Sequence, residues 1–262
     1  MNGQLAALMA LALHGNACLT TPDAPAPSLL EGNSTFQHVN ALTIVDRRGR
    51  WRPQEIRFTD TAEWFEHLRN EKILGLSLLD AHAPSAEDAP VTDGARWALA
   101  GTTRRGRRSW GATWDATAPE APDQRVWSVR LAYDLNAGTT VLAAPGVNLA
   151  TAALDHALED IGAFASSHGL SNWRDRFDEA RFQLGTDRPE LPYHSDIAPA
   201  GTLSLPRTRL LAGAMTAWVF GGVGSWDDIG LDDLHGRSQM AQETRRLYDT
   251  VIDAFLAVTN AT

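Results

Sequence analysis

Residues 125–134 read RVWSVRLAYD, a run in which large apolar side chains alternate with polar or small ones. Successive side chains of a β-strand point to opposite faces of the sheet, so this run predicts a strand with one apolar face. That face would carry Trp127, Val129, Leu131 and Tyr133. Two further strand candidates, residues 95–103 and 107–116, precede it and also carry tryptophan. We therefore expect an antiparallel meander whose aromatic-rich face is covered by helices.

The residues before this meander predict more strands and a short helix. Residues 39–46 are rich in β-branched side chains, and residues 55–58 are expected to return beside them after a turn. Residues 73–79 form a nearly continuous apolar run, which is typical of a central strand buried on both faces. Asp60, with Glu63 three residues later, predicts the start of a helix between these strands.

The second half of the chain is predicted to be mainly helical. Apolar side chains recur there at helical spacing, and the predicted helices cover residues 151–167, 172–184, 206–219 and 238–258. Residues 4–14 predict a further helix that is enclosed on most sides and that the Gly15-Asn16 pair would end. The acidic, proline-containing residues 81–94 predict a loop, and residues 141–144 predict a short strand.

These elements predict the α+β class, because strands come first in the chain and helices follow. We expect a single domain over residues 1–262, β-rich at 36–145 and α-rich at 150–260. Its largely antiparallel sheet, from the N-terminal half, would pack against helices mostly from the C-terminal half. A mixed sheet stays open as an alternative, because the strand–helix–strand order allows a crossover connection.

The composition of the chain argues against several functional classes. Its 262 residues carry a formal net charge of −9, which argues against direct binding of nucleic acid and suits a basic protein partner. Lys72 is the only lysine, so the glycines near residue 222 cannot form a phosphate-binding Walker loop. Cys18 is the only cysteine, which excludes an intramolecular disulfide and fits a reducing, cytoplasmic location. The apolar run 5–13 is too short to span a bilayer and follows no basic residue, so we expect neither a membrane segment nor a signal peptide.

The most distinctive segment is residues 220–234, FGGVGSWDDIGLDDL, which contains no basic residue. Tryptophan is enriched at binding hot spots, and a negative patch attracts basic partners, so the segment predicts a recognition loop. The residues assigned to this loop are Gly222, Gly224, Ser225, Trp226, Asp227, Asp228, Asp232 and Asp233. Two alternatives stay open. One is a connector between helices that buries the tryptophan, and the other is a cation site built from carboxylate oxygens.

A second candidate site is the triplet His194-Ser195-Asp196. An imidazole and a carboxylate two residues apart can supply two ligands of a facial triad for iron(II), and His235 would supply the third. This order resembles the H-x-D…H ligand set of the 2-oxoglutarate-type oxygenases, and the resemblance implies a metal-dependent enzyme. In that family the ligands lie on a double-stranded β-helix, whereas a helix is predicted here between His194 and His235. The alternative is an ordinary pair of loop side chains.

The sequence as a whole favours a non-enzymatic, acidic interaction protein with no cofactor and no assigned catalytic residue. A bacterial immunity or antitoxin-like inhibitor, which covers the basic active site of a nuclease toxin, is the concrete form that this class analogy suggests. The alternatives are a metal-dependent enzyme at His194, Asp196 and His235, and a structural subunit of a larger assembly that docks through the last helix.

Overall fold

The computed structural model describes residues 1–21, 23–48, 54–80, 97–134, 144–221 and 224–260. These residues form two compact units. The sheet unit comprises the described residues of 2–142 together with 194–202, and the helical unit comprises residue 1 and the described residues of 143–193 and 203–262. A single domain over residues 1–262 stays a prediction. The predicted loop 81–94 and the predicted strand 141–144, except Ala144, lie outside the described residues.

The sheet unit begins with helices α1 (Gly3–Thr20) and α2 (Leu29–Gly32) and a 3-10 turn at Ser34–Phe36. Helix α3 (Thr61–Asn70) follows the second strand. The strands are β1 (Val39–Arg48), β2 (Gln54–Phe58), β3 (Gly75–Asp80), β4 (Trp97–Thr103), β5 (Gly106–Ala116) and β6 (Trp127–Tyr133). The helical unit contains α4 (Val147–Ser167), α5 (Ser171–Gly185), α6 (Leu205–Thr216) and α7 (Leu234–Asn260), with a 3-10 turn at Trp226–Asp228 before α7.

The strands form one mixed sheet in the order β2-β1-β6-β5-β4-β3. Strands β1 and β6 are parallel, and the other neighbouring pairs are antiparallel. The predicted meander is confirmed, because β4, β5 and β6 follow one another with Leu99 opposite Trp110 and Trp110 opposite Tyr133. The α+β class is also confirmed, with strands in the N-terminal half of the chain and helices mostly in the C-terminal half.

Trp110 lies on the aromatic face of the sheet and is fully buried. Helix α3 covers it, and the ring of Trp64 meets the ring of Trp110 edge to face with centroids 5.5 Å apart. Such a pair contributes about 0.5–1.5 kcal/mol beyond the burial of its area. The predicted start of this helix is confirmed, because the Asp60 carboxylate accepts a hydrogen bond from the Ala62 N–H at 3.0 Å.

Strand β3 corrects the prediction that residues 73–79 form a central strand. It lies at the edge of the sheet, beside β4. Both of its faces are nevertheless covered, since Leu76 is buried on one face and Leu79 packs with Ala98 and Ala100 on the other. An apolar run indicates that both faces of a strand are buried and does not indicate how many strands pair with it.

Helix α1 corrects the prediction of a helix end at Gly15 and Asn16, because it continues to Thr20. A Cβ atom at Gly15 would lie 2.5 Å from Leu76 Cδ1, so the glycine permits the close approach of α1 to β3. Asn16 Oδ1 accepts a hydrogen bond from the Leu76 N–H at 2.6 Å, and Asn16 Nδ2 donates to the Leu76 carbonyl at 2.9 Å. The pair that resembles a helix stop therefore joins α1 to the edge strand and satisfies its backbone.

A buried carboxylate lies on β1 of the sheet unit. Asp46 is fully buried, and its Oδ1 accepts a hydrogen bond from the Arg47 N–H at 2.7 Å. His67 Nε2 lies 3.2 Å from Asp46 Oδ2, and Arg108 Nη1 lies 4.0 Å from the same oxygen. Arg108 also forms an ion pair with Glu71 at 2.7 Å. Buried charges need partners of this kind, because an unpaired charge in the interior is costly.

The helical unit contains the four helices predicted for the second half of the chain. The predicted inner face of α7 is confirmed as buried, and it carries Met240, Leu247, Val251, Phe255 and Val258. Helix α7 begins earlier than predicted, at Leu234, because the Asp233 carboxylate accepts a hydrogen bond from the Gly236 N–H at 2.6 Å and caps the first turn. None of the helices in the described part of the chain combines the length and apolar character needed to cross a membrane.

Candidate functional site

Trp226, the central residue of the predicted recognition loop, is fully buried in the helical unit. Its Nε1–H donates a hydrogen bond of 2.6 Å to Thr244 Oγ1 on α7. Its ring meets the rings of Phe164, Trp173 and Phe177 edge to face, with centroids 5.3–6.3 Å apart. The buried side chain therefore anchors the segment between α6 and α7 to the surrounding helices. It offers no exposed surface to a partner.

The backbone around Trp226 is held by the aspartates of the same segment. Asp228 Oδ2 accepts hydrogen bonds from the Gly224 N–H at 2.6 Å and the Ser225 N–H at 3.2 Å. Asp227 Oδ2 accepts from the Gly221 N–H at 3.1 Å. Gly221 and Gly224 have φ angles of +73° and +78°, which side chains with a Cβ atom rarely adopt. The glycines therefore permit this turn, and the carboxylates satisfy its N–H groups.

The carboxylates of this segment are nevertheless exposed, and we call them the acidic patch: Asp227, Asp228, Asp232 and Asp233. The hydrogen bond from the Gly236 N–H lowers the pKa of Asp233 below its usual value, which keeps this side chain charged. Gly222, the remaining glycine assigned to the loop, lies outside the described residues. The acidic patch is thus a set of exposed charges between the buried Trp226 and the start of α7.

His194 and Asp196, the second sequence candidate, meet at Ser34 in the sheet unit. Asp196 accepts hydrogen bonds from the Ser34 N–H at 2.8 Å and from the Ser34 hydroxyl. Ser34 Oγ also lies 2.9 Å from His194 Nδ1. The Asp196 carbonyl accepts from Asn33 Nδ2 at 2.6 Å and lies 3.0 Å from His14 Nε2. These contacts tie residues 194–196 to the start of the 3-10 turn at Ser34–Phe36.

Burial and hydrogen bonding shift the pKa values of this cluster. Burial lowers the pKa of His194, and the nearby Asp196 charge offsets only part of that shift. Burial raises the pKa of Asp196, but the hydrogen bonds from Ser34 outweigh it and lower the pKa overall. His194 also has a φ angle of +49°, in the left-handed region. The cluster therefore consists of a charged carboxylate and a neutral imidazole joined through one hydroxyl group.

This arrangement differs from a nucleophilic triad. In a Ser-His-Asp triad the serine hydroxyl donates to the imidazole, and the carboxylate holds the other ring nitrogen. Here the Ser34 hydroxyl donates directly to Asp196, so His194 Nδ1 is the donor in its contact with Ser34. The imidazole is not placed to remove the Ser34 proton. The geometry fits a structural hydrogen-bond network that fastens two distant segments of the chain.

The structure does not assemble the predicted metal ligands into one group. His194 and Asp196 belong to the sheet unit, whereas His235 is exposed on the first turn of α7 in the helical unit. Among the described residues, no group of three or more His, Cys, Asp or Glu side chains could hold a metal ion. The carboxylates of the acidic patch belong to the described residues and do not form such a group either.

Sequence reasoning missed Ser34, which joins His194 to Asp196 from 160 residues away. No local signal could have revealed it, because a serine in a short loop has many roles. Comparison of the chain with models of known protein families, with curated proteins and with solved structures finds no match.

Proposed function

We propose that this chain is a non-enzymatic, cytoplasmic interaction protein whose acidic patch binds a basic protein partner. A bacterial immunity or antitoxin-like inhibitor is the concrete form that we favour. The observation that carries this proposal is that four carboxylates are exposed within residues 227–233, directly after a buried tryptophan that anchors the segment. The net charge of −9 supports the same class of partner.

Because the turn is already held in place, it should bind a partner more tightly than a flexible acidic loop of the same charge would. Ordering a loop on association costs free energy, and a turn that is already held loses less. Trp226 fixes the turn through Thr244 and three aromatic rings, and Asp227 and Asp228 satisfy its backbone N–H groups. In this proposal Trp226 positions the acidic patch and does not touch the partner. The sequence suggested that the tryptophan contacts the partner. In this proposal the exposed carboxylates make that contact instead.

The Ser34 network supports the non-enzymatic half of the proposal. A hydrolytic role would require a hydroxyl that donates to a base, and the Ser34 hydroxyl donates to a carboxylate whose pKa is lowered. The metal-dependent alternative would require His235 beside His194 and Asp196, and no such three-residue group is found among the described residues. An interaction role needs neither arrangement.

The experiment compares two variants that remove the same charge. The patch variant carries Asp→Asn at positions 227, 228, 232 and 233, and asparagine keeps an oxygen that can accept the hydrogen bonds of the turn. The matched control variant carries Glu31→Gln, Glu120→Gln, Asp123→Asn and Asp175→Asn, which are exposed positions elsewhere. The wild-type chain captures its partner from the native host, and calorimetry with the purified partner then measures all three affinities.

We expect the patch variant to bind about 30-fold more weakly, since four exposed charges at about 0.5 kcal/mol each sum to about 2 kcal/mol. The control variant should keep an affinity close to that of the wild type. Equal affinities of the patch and control variants would show that overall charge, and not the acidic patch, accounts for binding, and the proposal would then fail.

A further inference from the structure

The two edges of the sheet differ in what covers their backbone. At the β3 edge, Asn16 of α1 forms hydrogen bonds with both the N–H and the carbonyl of Leu76. At the β2 edge, no backbone hydrogen bond reaches the strand from any element except β1 within the described part of the chain. Alternate residues of an edge strand direct their N–H and C=O groups away from the sheet, and a further strand can pair with them. Strand β2 therefore offers an open edge.

The side chains of β2 carry both signs of charge along this edge. The strand reads QEIRF over residues 54–58, without proline or lysine, and it pairs with β1 in an unbroken register. Proteins often protect an open edge with proline, lysine or a bulge, and β2 has none of these. Instead Glu55 and Arg57 lie on one face, with 49% and 69% of their side chains exposed. Ile56 lies on the other face and is partly exposed.

Two copies of β2 can pair antiparallel about a two-fold axis, which makes every contact occur twice. In such a pair the residue at the axis lies opposite its own copy, and the residues on either side of it lie opposite each other. An axis at Glu55 would place two carboxylates face to face, and an axis at Arg57 would do the same with two guanidinium groups. An axis at Ile56 instead places Glu55 of each copy opposite Arg57 of the other. Charge complementarity therefore selects the axis at Ile56.

Pairing about Ile56 gives favourable contacts on both faces of the strand. On one face, each carboxylate has a guanidinium group beside it on its own strand and another opposite it on the second copy. The existing ion pair of 2.7 Å between Arg57 Nε and Glu55 Oε1 shows that these two side chains reach each other along the strand. On the other face, Ile56 meets its own copy beside Phe58, whose ring contacts His67 of α3. The pairing therefore extends the apolar face of the sheet and covers the exposed part of Ile56.

We propose that β2 is a self-association edge, through which two copies of this chain pair antiparallel about a two-fold axis at Ile56. The contact comprises five residues from each copy. A strand of this length spans about 17 Å, so the contact buries less than the roughly 1,200 Å² of a stable complex. The association is therefore weak and depends on the concentration of the chain. It involves only the sheet unit and none of the acidic patch, so it is independent of the proposed function.

Sedimentation equilibrium of the full chain tests whether it self-associates. The concentration should run from about 10 µM to about 1 mM, a range that brackets the Kd of about 0.1 mM expected for so small a contact. We expect a reversible equilibrium between monomer and dimer. A chain that stays monomeric over this range would overturn the proposal and leave the edge to an extended segment of a different protein. Growth beyond the dimer would overturn it as well, because a two-fold contact closes on itself.

Charge reversal at Arg57 tests the contact between opposite charges. Arg57→Glu places a glutamate opposite Glu55 at both contact positions, so two attractive pairs become repulsive, which should weaken the dimer about 30-fold. Arg105→Glu is the matched control, because it makes the same change of net charge at an exposed position between β4 and β5. The control should keep nearly the wild-type Kd. Equal losses in the two variants would show that overall charge governs the association, and the assignment of β2 would then fail.

Complementary charges should restore the dimer, a result that a merely unfolded variant would not give. Glu55→Arg has the same defect as Arg57→Glu with the opposite sign, and an equimolar mixture of the two variants places glutamates opposite arginines at every contact position. The mixture should form a heterodimer with nearly the wild-type affinity. The double variant Glu55→Arg, Arg57→Glu should self-associate like the wild type. Failure of both the mixture and the double variant to associate would rule out this pairing.

A cysteine at the axis tests the register. Opposite residues of antiparallel strands have Cα atoms about 4.5–5.5 Å apart, within the range that a disulfide bridges. Ile56→Cys should therefore form a disulfide-linked dimer on mild oxidation, whereas the native Cys18 is buried. Addition of Arg57→Glu should slow this cross-linking, and Arg105→Cys is the control for random collisions. A rate for Ile56→Cys no faster than that for Arg105→Cys would contradict an axis at Ile56.

Discussion

Replacement of Trp226 by alanine should strongly destabilise the helical unit. The side chain is fully buried, donates to Thr244 and contacts three aromatic rings edge to face. Truncation of a buried tryptophan to alanine costs about 3–5 kcal/mol, which includes the cavity that is left. Folded domains are stable by about 5–15 kcal/mol, so the substitution should remove a large part of the stability of this unit.

Two smaller substitutions separate the contribution of the Trp226 ring from that of its hydrogen bond. Trp226→Phe keeps a ring within the aromatic cluster and removes the N–H, so it should cost clearly less than Trp226→Ala. Thr244→Val keeps the shape of the side chain and leaves the Trp226 N–H buried without a partner, which should cost about 1–3 kcal/mol. The expected order of destabilisation therefore places Trp226→Ala first.

Urea unfolding followed by far-ultraviolet circular dichroism measures these free energies without relying on tryptophan emission. Trp127→Ala provides the control, because the same truncation at a residue that is 36% exposed should cost less. A loss below about 1 kcal/mol for Trp226→Ala would be typical of a surface substitution. That result would refute the claim that Trp226 anchors the acidic patch.

Three further predictions concern the sheet unit. Asp46→Ala should lower the free energy of unfolding by about 1–3 kcal/mol, because it removes the acceptor of the Arg47 N–H and the carboxylate that faces His67 and Arg108, whereas Glu55→Ala in an exposed ion pair should cost at most about 1 kcal/mol; urea unfolding measures both. Asn16→Ala should cost about 1–3 kcal/mol and speed amide hydrogen exchange in β3, because it removes both side-chain bonds to the edge strand. Burial lowers the pKa of His194, so the unfolded chain binds more protons there and stability falls as the pH drops below about 6.5. His194→Asn, which suits a left-handed φ angle, should reduce that fall in urea unfolding at mildly acidic pH, and an unchanged pH dependence would contradict the assigned shift.

The strands of the meander could be predicted because their signal is local. Residues 125–134 alternate with a period of two, and that pattern depends only on which face of β6 is buried. The start of α3 at Asp60 could also be predicted from the sequence, because a helix cap involves residues within one turn. These features need no knowledge of distant parts of the chain.

The position of β3 in the sheet and the end of α1 could not be predicted from the local sequence. The apolar run 73–79 reports burial, while its place at the sheet edge depends on pairing with β4 and on the fit of Gly15 against Leu76. Glycine and asparagine are usual at helix ends, and here their roles come from a strand about 60 residues away. Tertiary packing overrode the local preference.

In the candidate sites, too, the local features could be predicted from the sequence and the contacts between distant residues could not. The charges of the acidic patch were evident from residues 224–234, but the burial of Trp226 depends on rings from α4 and α5 and on Thr244 of α7. Ser34 could not be linked to His194, because only the fold brings the two together. The sequence therefore identified the exposed charges and could not assign the residues that hold them in place.

The ionic-strength dependence of the association rate with the captured partner tests the central claim most directly. If the acidic patch attracts a basic partner, the wild-type rate should fall steeply as salt is added, because salt screens exposed charges over about 8–10 Å at moderate concentration. The patch variant should associate more slowly at low salt and show a much flatter dependence, while the charge-matched control variant follows the wild type. A wild-type rate that does not change with salt, or a patch variant that keeps the wild-type slope, would contradict the proposed function.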